Sequence, residues 1–364
     1  MTVRLFLCGD VMTGRGIDQV LLRPSDPQLH EPYTKSALDY VRLAEETNGP
    51  IPRRVEPSYI WGEALEELER VAPAARIVNL ETAVTSSDAW EAKGINYRMS
   101  PANVSCLTAA RIDCCALANN HVLDWGAAGL AETLDTLHAA GIHTSGAGRA
   151  AEEADAPAAL ELPGDGRVLV VSLAAPTSGV PQPWAAHAGH PGVAYLKDLS
   201  ARTVRRIAEK VAAERRPGDL VVASLHWGSN WGYEVSPEEQ RFARELVDAG
   251  IDVVHGHSSH HAKGIEVFRG KLILYGCGDL INDYEGIGGH EEFRGDLGLM
   301  YFPSLDGSGA LAGLRMTATR MRRFRLERAP EADAGWLREM LEREGRRFGT
   351  GATLLPDGRL ELRF

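Results

Sequence analysis

The chain has 364 residues, of which 44% are hydrophobic and 24% charged, a composition typical of a globular protein with one large domain or two ordinary ones. Its 39 basic and 50 acidic side chains give a net charge of −11, which argues against nucleic acid or an anionic membrane as a partner. The sequence has no run of 18 apolar residues and no signal-peptide pattern, and its five cysteines include no CxxC pair. These features predict a cytoplasmic enzyme or binding protein with reduced thiols. A small-molecule or peptide-like substrate is expected from the motifs described below, not from the composition.

Short apolar runs alternate with amphipathic stretches along the chain, which predicts an α/β layered sandwich. Strands are expected at residues 3–8, 76–80, 113–118, 168–173, 220–225, 251–255 and 272–275. Helices are expected at residues 61–71, 127–140, 201–214, 237–249 and 333–346. Ser236 and Pro237 provide an N-cap and a first-turn proline for the fourth helix, and Gly250 provides its end.

Two segments interrupt this alternation. Residues 23–58 contain six prolines and are interpreted as an insertion, and residues 282–296 are rich in glycine around His290. No segment resembles a flexible linker between domains. The sequence therefore predicts a single domain over residues 1–364, with the insertion at about 23–58 and a C-terminal extension at about 303–364 made of terminal strands and a closing helix.

Residues that can bind a metal follow five of the predicted strands. Because the carboxyl ends of parallel strands meet at one edge of a sheet, these side chains are expected to converge on one crevice. Singly, each has an ordinary interpretation as a turn or core residue, but five such strand ends are hard to explain by chance. Their oxygen and nitrogen donors, without thiolates, suit zinc, manganese or iron. The residues are Asp10, Glu81, Asn119, Asn120, His121, His226, His255, His257, His260 and His261.

Five segments at these positions resemble the sequence blocks of the CapA proteins. This family is named for poly-γ-glutamate capsule synthesis and belongs to the calcineurin-like metallophosphoesterase superfamily. The resemblance covers roughly residues 3–302 and includes two further segments at residues 264–268 and 271–276. The five blocks are Gly9-Asp10-Val11-Met12, Asn79-Leu80-Glu81-Thr82, Ala118-Asn119-Asn120-His121, Leu225-His226-Trp227-Gly228 and Gly256-His257-Ser258-Ser259-His260.

The resemblance implies a four-layer α/β/β/α sandwich that carries one or two divalent metal ions. It places Glu81 as a carboxylate that bridges two metals. It also implies that Asn120, His226 and His257 bind one metal, that Asp10 and His260 bind the other, and that His121 contacts a phosphoryl oxygen or protonates a leaving group. Two metals together can activate a nucleophile and stabilise the charge that develops in a displacement reaction.

The chain departs from the superfamily pattern at Met12, where a histidine is expected two residues after Asp10. A thioether is a poor ligand for a hard metal, so the Asp10/His260 site is expected to be the weaker one. Asp10 could then be free as a base rather than bound as a ligand. Capsule-associated members of the family also carry a membrane anchor, which this sequence is not expected to contain, so a direct role in capsule export is not expected.

Four further residues are candidates for contact with substrate. Arg15 could hold a phosphate or carboxylate through two hydrogen bonds, or could form a surface ion pair with Asp18. Trp227 and Trp231 flank His226 and could stack on a substrate or simply cover the site. His290 could reach substrate from its glycine-rich loop, or could be exposed and idle.

The leading interpretation is a metal-dependent hydrolase that cleaves a phosphate ester or an amide-type bond, with His121 or His290 as general acid. The first alternative is a metal-dependent epimerase or isomerase that acts at the Cα atom of a peptide-like substrate, with Asp10 and His290 as bases on opposite faces. The second alternative is a non-catalytic protein that binds metal or a γ-glutamyl polymer. The sequence leaves the oligomeric state, the metal and the number of metals open.

Overall fold

A computed structural model describes residues 2–164 and 166–364. The strands, in chain order, are β1 (Val3–Val11), β2 (Ala75–Leu80), β3 (Ala83–Val84), β4 (Arg98–Met99), β5 (Cys114–Ala116), β6 (His143–Ser145), β7 (Ala147–Gly148), β8 (Ala158–Glu161), β9 (Arg167–Ala174), β10 (Gly192–Val193), β11 (Leu220–His226), β12 (Val253–His257), β13 (Ile265–Phe268), β14 (Lys271–Leu274), β15 (Asp279–Ile281), β16 (Leu297–Leu305), β17 (Leu311–Arg322), β18 (Arg325–Arg328), β19 (Gly351–Leu354) and β20 (Leu360–Arg363).

The α-helices are α1 (Gly16–Val20), α2 (Leu38–Asn48), α3 (Ala64–Val71), α4 (Ser105–Ala109), α5 (Gly126–Ala139), α6 (Ala151–Asp155), α7 (Ala201–Glu214), α8 (Pro237–Asp248) and α9 (Glu331–Gly345). Single turns of 3₁₀-helix lie at Tyr59–Trp61, Pro101–Asn103, Pro176–Ser178, Gln182–Trp184, Glu291–Phe293 and Arg346–Phe348.

Most of the strands form two sheets. The larger has the order β19-β20-β17-β16-β1-β2-β5-β6, with β15 paired to β1 and β18 paired to β17. The smaller has the order β13-β14-β12-β11-β9-β8. Strands β1, β2, β5 and β6 run parallel to one another in the larger sheet, as do β9, β11, β12 and β14 in the smaller one.

The alternation of side chains along the strands produces four layers. In β1, Leu5 and Leu7 belong to a core that also contains Val168 and Val170 of β9, so this core lies between the two sheets. The intervening residue Phe6 belongs to a second core with α3 and α5, and residues of α7 and α8 cover the opposite face of the smaller sheet. Because side chains on a strand alternate between faces, each sheet buries both faces. The predicted four-layer α/β/β/α sandwich is confirmed.

All seven predicted strands and all five predicted helices are present, with bounds that differ from the predicted ones by up to three residues. The helix predicted at 61–71 starts at Ala64, because Gly62 has a φ of 44° and packs so closely on the Leu326 carbonyl that a Cβ atom would lie 2.1 Å from its oxygen. The strand predicted at 251–255 runs from Val253 to His257, since the Ile251 N–H bonds to the Leu246 carbonyl in the last turn of α8. The strand predicted at 113–118 is shorter than expected and covers only Cys114–Ala116.

The 23–58 segment and the C-terminal segment contribute differently to the structure. The 23–58 segment contains α2, whose Tyr40 packs next to the candidate site. The C-terminal segment supplies β17 to β20, which extend the larger sheet beyond β16, and α9, which packs on β19.

A buried ion pair attaches α3 to this C-terminal part of the sheet. Glu67 accepts hydrogen bonds from Arg359 (3.0 and 3.1 Å), from Arg70 and from the Thr317 hydroxyl. Burial alone would raise the pKa of Glu67, but these hydrogen bonds outweigh it and lower the pKa to about 2. A carboxylate whose pKa is lower in the folded state stabilises the protein above its unfolded pKa, and this stabilisation is lost as the pH falls towards 2.

We therefore expect Glu67→Gln to lower the free energy of unfolding by about 2 kcal/mol at pH 7 and by much less at pH 3. Urea unfolding of both proteins at the two pH values measures the difference. Glu66→Gln, which changes an exposed carboxylate on the same helix, is the matched control and should have little effect. An equal loss at both pH values would contradict this account of Glu67.

Candidate metal centre

The carboxyl ends of the parallel strands of both sheets meet at one place. Asp10 is the next-to-last residue of β1, and Glu81 directly follows β2. His226 and His257 are the last residues of β11 and β12. Asn120 lies in the loop after β5. These residues lie close together because the two sheets pack face to face with these strand ends on the same side. Such a convergence was expected from their positions after apolar runs of the sequence.

The first group of candidate ligands is formed around two histidines. His226 Nδ1 and His257 Nδ1 are 2.8 Å apart, and His226 Nε2 is 3.1 Å from Asn120 Oδ1. Glu81 Oε1 is 3.9 Å from His226 Nε2, and Asp10 Oδ1 is 3.7 Å from His257 Nδ1. Burial lowers the pKa of both histidines well below the usual range, so both rings are neutral and present lone pairs. Potential ligand atoms of Asp10, His226 and His257 all lie within 4.8 Å of one another.

The second group contains a residue that the sequence did not point to. Potential ligand atoms of Asp10, His260 and Asp279 also lie within 4.8 Å of one another. His260 Nδ1 is 3.0 Å from Asp279 Oδ1, and its Nε2 is 3.2 Å from the Asn230 amide nitrogen. Burial and the neighbouring charge of Asp279 raise the pKa of Asp10 above its usual range. Because Asp10 is close to the other ligand atoms in each case, it belongs to both groups of candidate ligands.

The charges of this cluster fit a divalent cation. Asp10, Glu81 and Asp279 are buried carboxylates, and none forms an ion pair with a lysine or arginine among residues 2–164 and 166–364. Buried charges require a compensating charge or they lose their ionisation. Carboxylate, amide and imidazole donors suit zinc, manganese or iron, which is the donor set expected from the sequence. The residues present thus fit the divalent metals that the resemblance implied.

His121 lies beside this cluster and is held by its own partner. Its Nδ1 is 2.6 Å from Asp124 Oδ2, and its Nε2 is 3.7 Å from Glu81 Oε1. Tyr97 packs edge-on against its ring. Burial lowers the pKa of His121 to about 4. This effect of burial outweighs that of the Asp124 carboxylate, which raises the pKa. Lys93 donates to Asp124 Oδ1 at 2.6 Å and to the Asn120 carbonyl.

Two adjoining cavities open onto the cluster. The smaller, of about 580 Å³, is lined by Glu81, Asn120, His121 and Lys93. The larger, of about 960 Å³, is lined by residues of the 23–58 segment and of the glycine-rich 282–296 loop. Both cavities are lined by Ile95, Asn230, His260 and Tyr284, so they form one continuous cleft with His260 between its two parts.

Three of the predicted substrate contacts line the larger cavity, namely Arg15, Trp231 and His290. His290 stacks on Trp231 with ring centroids 4.1 Å apart and an interplanar angle of 17°. Trp231 also packs against His260, the candidate ligand. The 282–296 loop thus brings His290 to the wall of the cleft. Asp10, by contrast, is fully buried, and it lines neither of the two cavities described here.

The structure corrects the interpretation of Trp227. It is 3% exposed, it packs against Phe242 and Tyr275, and it donates its indole N–H to the Tyr275 carbonyl. As the residue after His226, it points to the opposite face of the sheet and into the core under α8. It therefore cannot stack on a substrate in the cleft.

Arg15 forms neither the exposed ion pair nor the free anion site that the sequence allowed. Its side chain is buried and donates two hydrogen bonds to Asp283, one to Glu31 and one to the Tyr40 hydroxyl. Asp18, its expected partner, instead accepts hydrogen bonds from Ser25, Ser100 and Asn103. Four of the five guanidinium N–H groups are thus used within the protein.

Comparison with known proteins shows the family to which the chain belongs. Residues 4–284 match the family described as bacterial capsule synthesis protein PGA_cap, and the chain belongs to this family. A relative from Mycobacterium tuberculosis called a probable polyglutamine synthesis accessory protein is 50% identical over 363 residues, which cover 99% of this chain and 96% of the relative. The capsule biosynthesis protein CapA of Bacillus anthracis is 26% identical over 191 residues, covering 52% of this chain and 45% of CapA. The predicted membership of the CapA group is confirmed.

Among solved structures, a 5'-nucleotidase precursor from Thermus thermophilus aligns with a TM-score of 0.47 and 17% identity, over 88% of this chain and 55% of that one. Within the described part of the chain, the helices are all too short or too polar to cross a membrane.

Proposed function

We propose that the protein is a metal-dependent hydrolase that cleaves a phosphate ester or an amide-type bond in the smaller part of the cleft. The observation that carries this proposal is the position of His121, which lies within 3.7 Å of Glu81 on the wall of the cavity above the cluster. A pure binding site has no need of a histidine that is oriented by its own carboxylate partner. Divalent cations bound at the cluster would lower the pKa of water and neutralise the negative charge that develops in the reaction.

The protein side chains would divide the remaining work between them. Asp124 accepts a hydrogen bond from His121 Nδ1 and so fixes the ring, with Nε2 turned towards Glu81 and the cavity. In the neutral ring the proton is on Nδ1, so Nε2 would first accept a proton from the attacking water and then donate it to the leaving group. Lys93 is the one lysine or arginine among the described residues that line this cavity, and its ammonium can attract an anionic group of the substrate.

A second candidate is the metal-dependent epimerase acting at Cα of a peptide-like substrate. The placement of His290 in the same cleft as His260 favours it, because an imidazole there can act as a base towards a bound substrate. The scheme also needs a second base on the opposite face of the substrate. Asp10 is enclosed by Asn79 and the Ser258 N–H and lines neither cavity, so the structure favours the hydrolase.

We expect the Mn²⁺-loaded protein to hydrolyse at least one of p-nitrophenyl phosphate, bis-p-nitrophenyl phosphate and γ-glutamyl-p-nitroanilide, and to lose this activity in EDTA. His121→Ala should reduce the rate by about 100-fold or more, because general acid catalysis contributes that much. His138→Ala, which changes an exposed histidine on α5, should leave the rate unchanged.

The same preparations in D₂O test the epimerase with model peptides. Deuterium incorporation at Cα that is lost in His290→Ala, without hydrolysis of any ester or amide, would overturn the hydrolase proposal. Metal binding without either reaction would overturn it too, in favour of a binding protein.

A further inference from the structure

We propose that Asp279 is a metal ligand and completes the second site, so that the centre holds two divalent ions although Met12 stands where a histidine was expected. This inference rests on the metal centre of the proposed function. It concerns a residue that does not directly follow a predicted strand and that belongs to none of the sequence blocks identified above.

The backbone holds Asp279 directly beside Asp10. Strand β15 pairs in parallel with the tip of β1, with Asp10 and Asp279 in register, and the Asp10 N–H donates to the Gly278 carbonyl at 2.9 Å. This approach requires glycine at position 9, because a Cβ atom there would lie 1.6 Å from the Gly278 oxygen. The two carboxylates are thus placed by main-chain hydrogen bonds rather than by flexible side chains.

The surroundings of Asp279 leave its negative charge without a fixed cation. Its oxygens accept hydrogen bonds from His260 Nδ1 and from the Asn282 amide, both at 3.0 Å. Asp10 beside it is bonded to the Asn79 amide and the Ser258 N–H. All of these partners except His260 are neutral, so the two carboxylates share at most one protonated imidazole. A cation between them would remove their repulsion.

Several other buried carboxylates of the protein form ion pairs with arginine. Asp283 pairs with Arg15, Glu67 with Arg359, and Asp219 with Arg167. The cluster of Asp10, Asp279 and Glu81 has no arginine or lysine partner among the described residues. It also brings three carboxylates together at the carboxyl ends of the strands.

The donors of the second site are complete without Met12. Asp10, His260 and Asp279 offer two oxygens and one nitrogen, which suit Zn²⁺, Mn²⁺ or Fe²⁺. Met12 is fully buried, and its sulfur lies 3.7 Å from the Tyr284 hydroxyl. An oxygen ligand from β15 therefore replaces the missing histidine of the first block. This reverses the expectation from the sequence that Asp10 and His260 form the weaker site.

The test is the number of Mn²⁺ ions per chain, measured by plasma mass spectrometry after desalting of the loaded protein. We expect two ions in wild type, one in Asp279→Asn and two in Met12→His. The asparagine keeps an oxygen that can accept the hydrogen bond from His260, so it removes the charge and spares the ring orientation. Asp296→Asn, which changes an exposed carboxylate lining the same cleft, should keep two ions.

The stabilisation by Mn²⁺, measured as the difference in Tm between loaded and EDTA-treated protein, should fall in Asp279→Asn and not in Asp296→Asn. Should the Asp279 variant not fold, electron paramagnetic resonance of wild type decides the question. Two ions that share Asp10 should give an exchange-coupled spectrum. The six-line spectrum of isolated Mn²⁺, or two ions retained in a folded Asp279→Asn, would overturn the proposal for Asp279. If wild type binds no metal at all, the proposed function itself fails.

Discussion

Replacing His257 by alanine should remove the metal ion held with His226 and Asn120 and abolish most of the hydrolysis. Loss of a residue that only hydrogen-bonds to a metal ligand typically lowers metal affinity by about 10–100-fold. We expect a larger decrease here, because each site has few protein ligands and this one loses an imidazole. Isothermal titration with Mn²⁺ or Zn²⁺ measures the affinity. His226→Ala should have the same effect, since the two Nδ1 atoms lie 2.8 Å apart.

The matched control is His143→Ala, which changes an exposed histidine on β6 away from the cluster. It should bind metal as wild type does. Wild-type metal content in both His226→Ala and His257→Ala would show that the cluster is not the metal site.

Replacing Arg15 by methionine should lower the free energy of unfolding by about 3–5 kcal/mol, because it leaves Asp283 and Glu31 buried without their cation. Arg15 also stacks on the rings of Tyr40 and Tyr97, with its guanidinium carbon 3.8 and 4.4 Å from their centroids. Its loss would therefore loosen the contact between the 23–58 segment and the strand ends. Urea unfolding measures the change.

The comparison variant is Arg42→Met, in which an exposed arginine of α2 loses its surface ion pairs. Such pairs contribute about 0–1 kcal/mol, so little change is expected. A similarly small change in Arg15→Met, together with weaker binding of phosphate, would show that Arg15 serves the substrate and not the fold.

Local sequence patterns were sufficient to predict the helices and strands and most of the residues that gather at the candidate metal centre. Asp10, Glu81, His226 and His257 each follow or end an apolar run, and that run is the physical cause of their placement, because it becomes a buried strand of a parallel sheet. Asn120 follows the short strand β5 in the same way. Their convergence needed only the rule that such strand ends share one edge.

Residues whose position depends on long-range pairing could not be predicted. Asp279 comes five residues after the end of β14, and nothing nearby in the sequence indicates that β15 pairs with β1 in the larger sheet. The partner of Arg15 is likewise Asp283, 268 residues away, rather than the neighbouring Asp18. Trp227 was misjudged for a different reason, since a residue adjacent to a ligand on a strand faces the other side of the sheet.

The shape of the cleft also depends on distant segments. The 23–58 segment brings Tyr33 and Tyr40 to the wall of the larger cavity, opposite the 282–296 loop with His290. Sequence alone indicated that both segments were unusual, because of their prolines and glycines. It could not show that they face each other across one opening, since that depends on contacts between segments more than 200 residues apart, which no local pattern specifies.

The most direct test of the metal centre is anomalous diffraction at the manganese absorption edge from crystals of the Mn²⁺-loaded protein. The account predicts two peaks, one beside His226, His257 and Asn120 and the other beside His260 and Asp279, with Asp10 and Glu81 next to both. Crystals that show no anomalous peak among these residues, or manganese only at the protein surface, would contradict it.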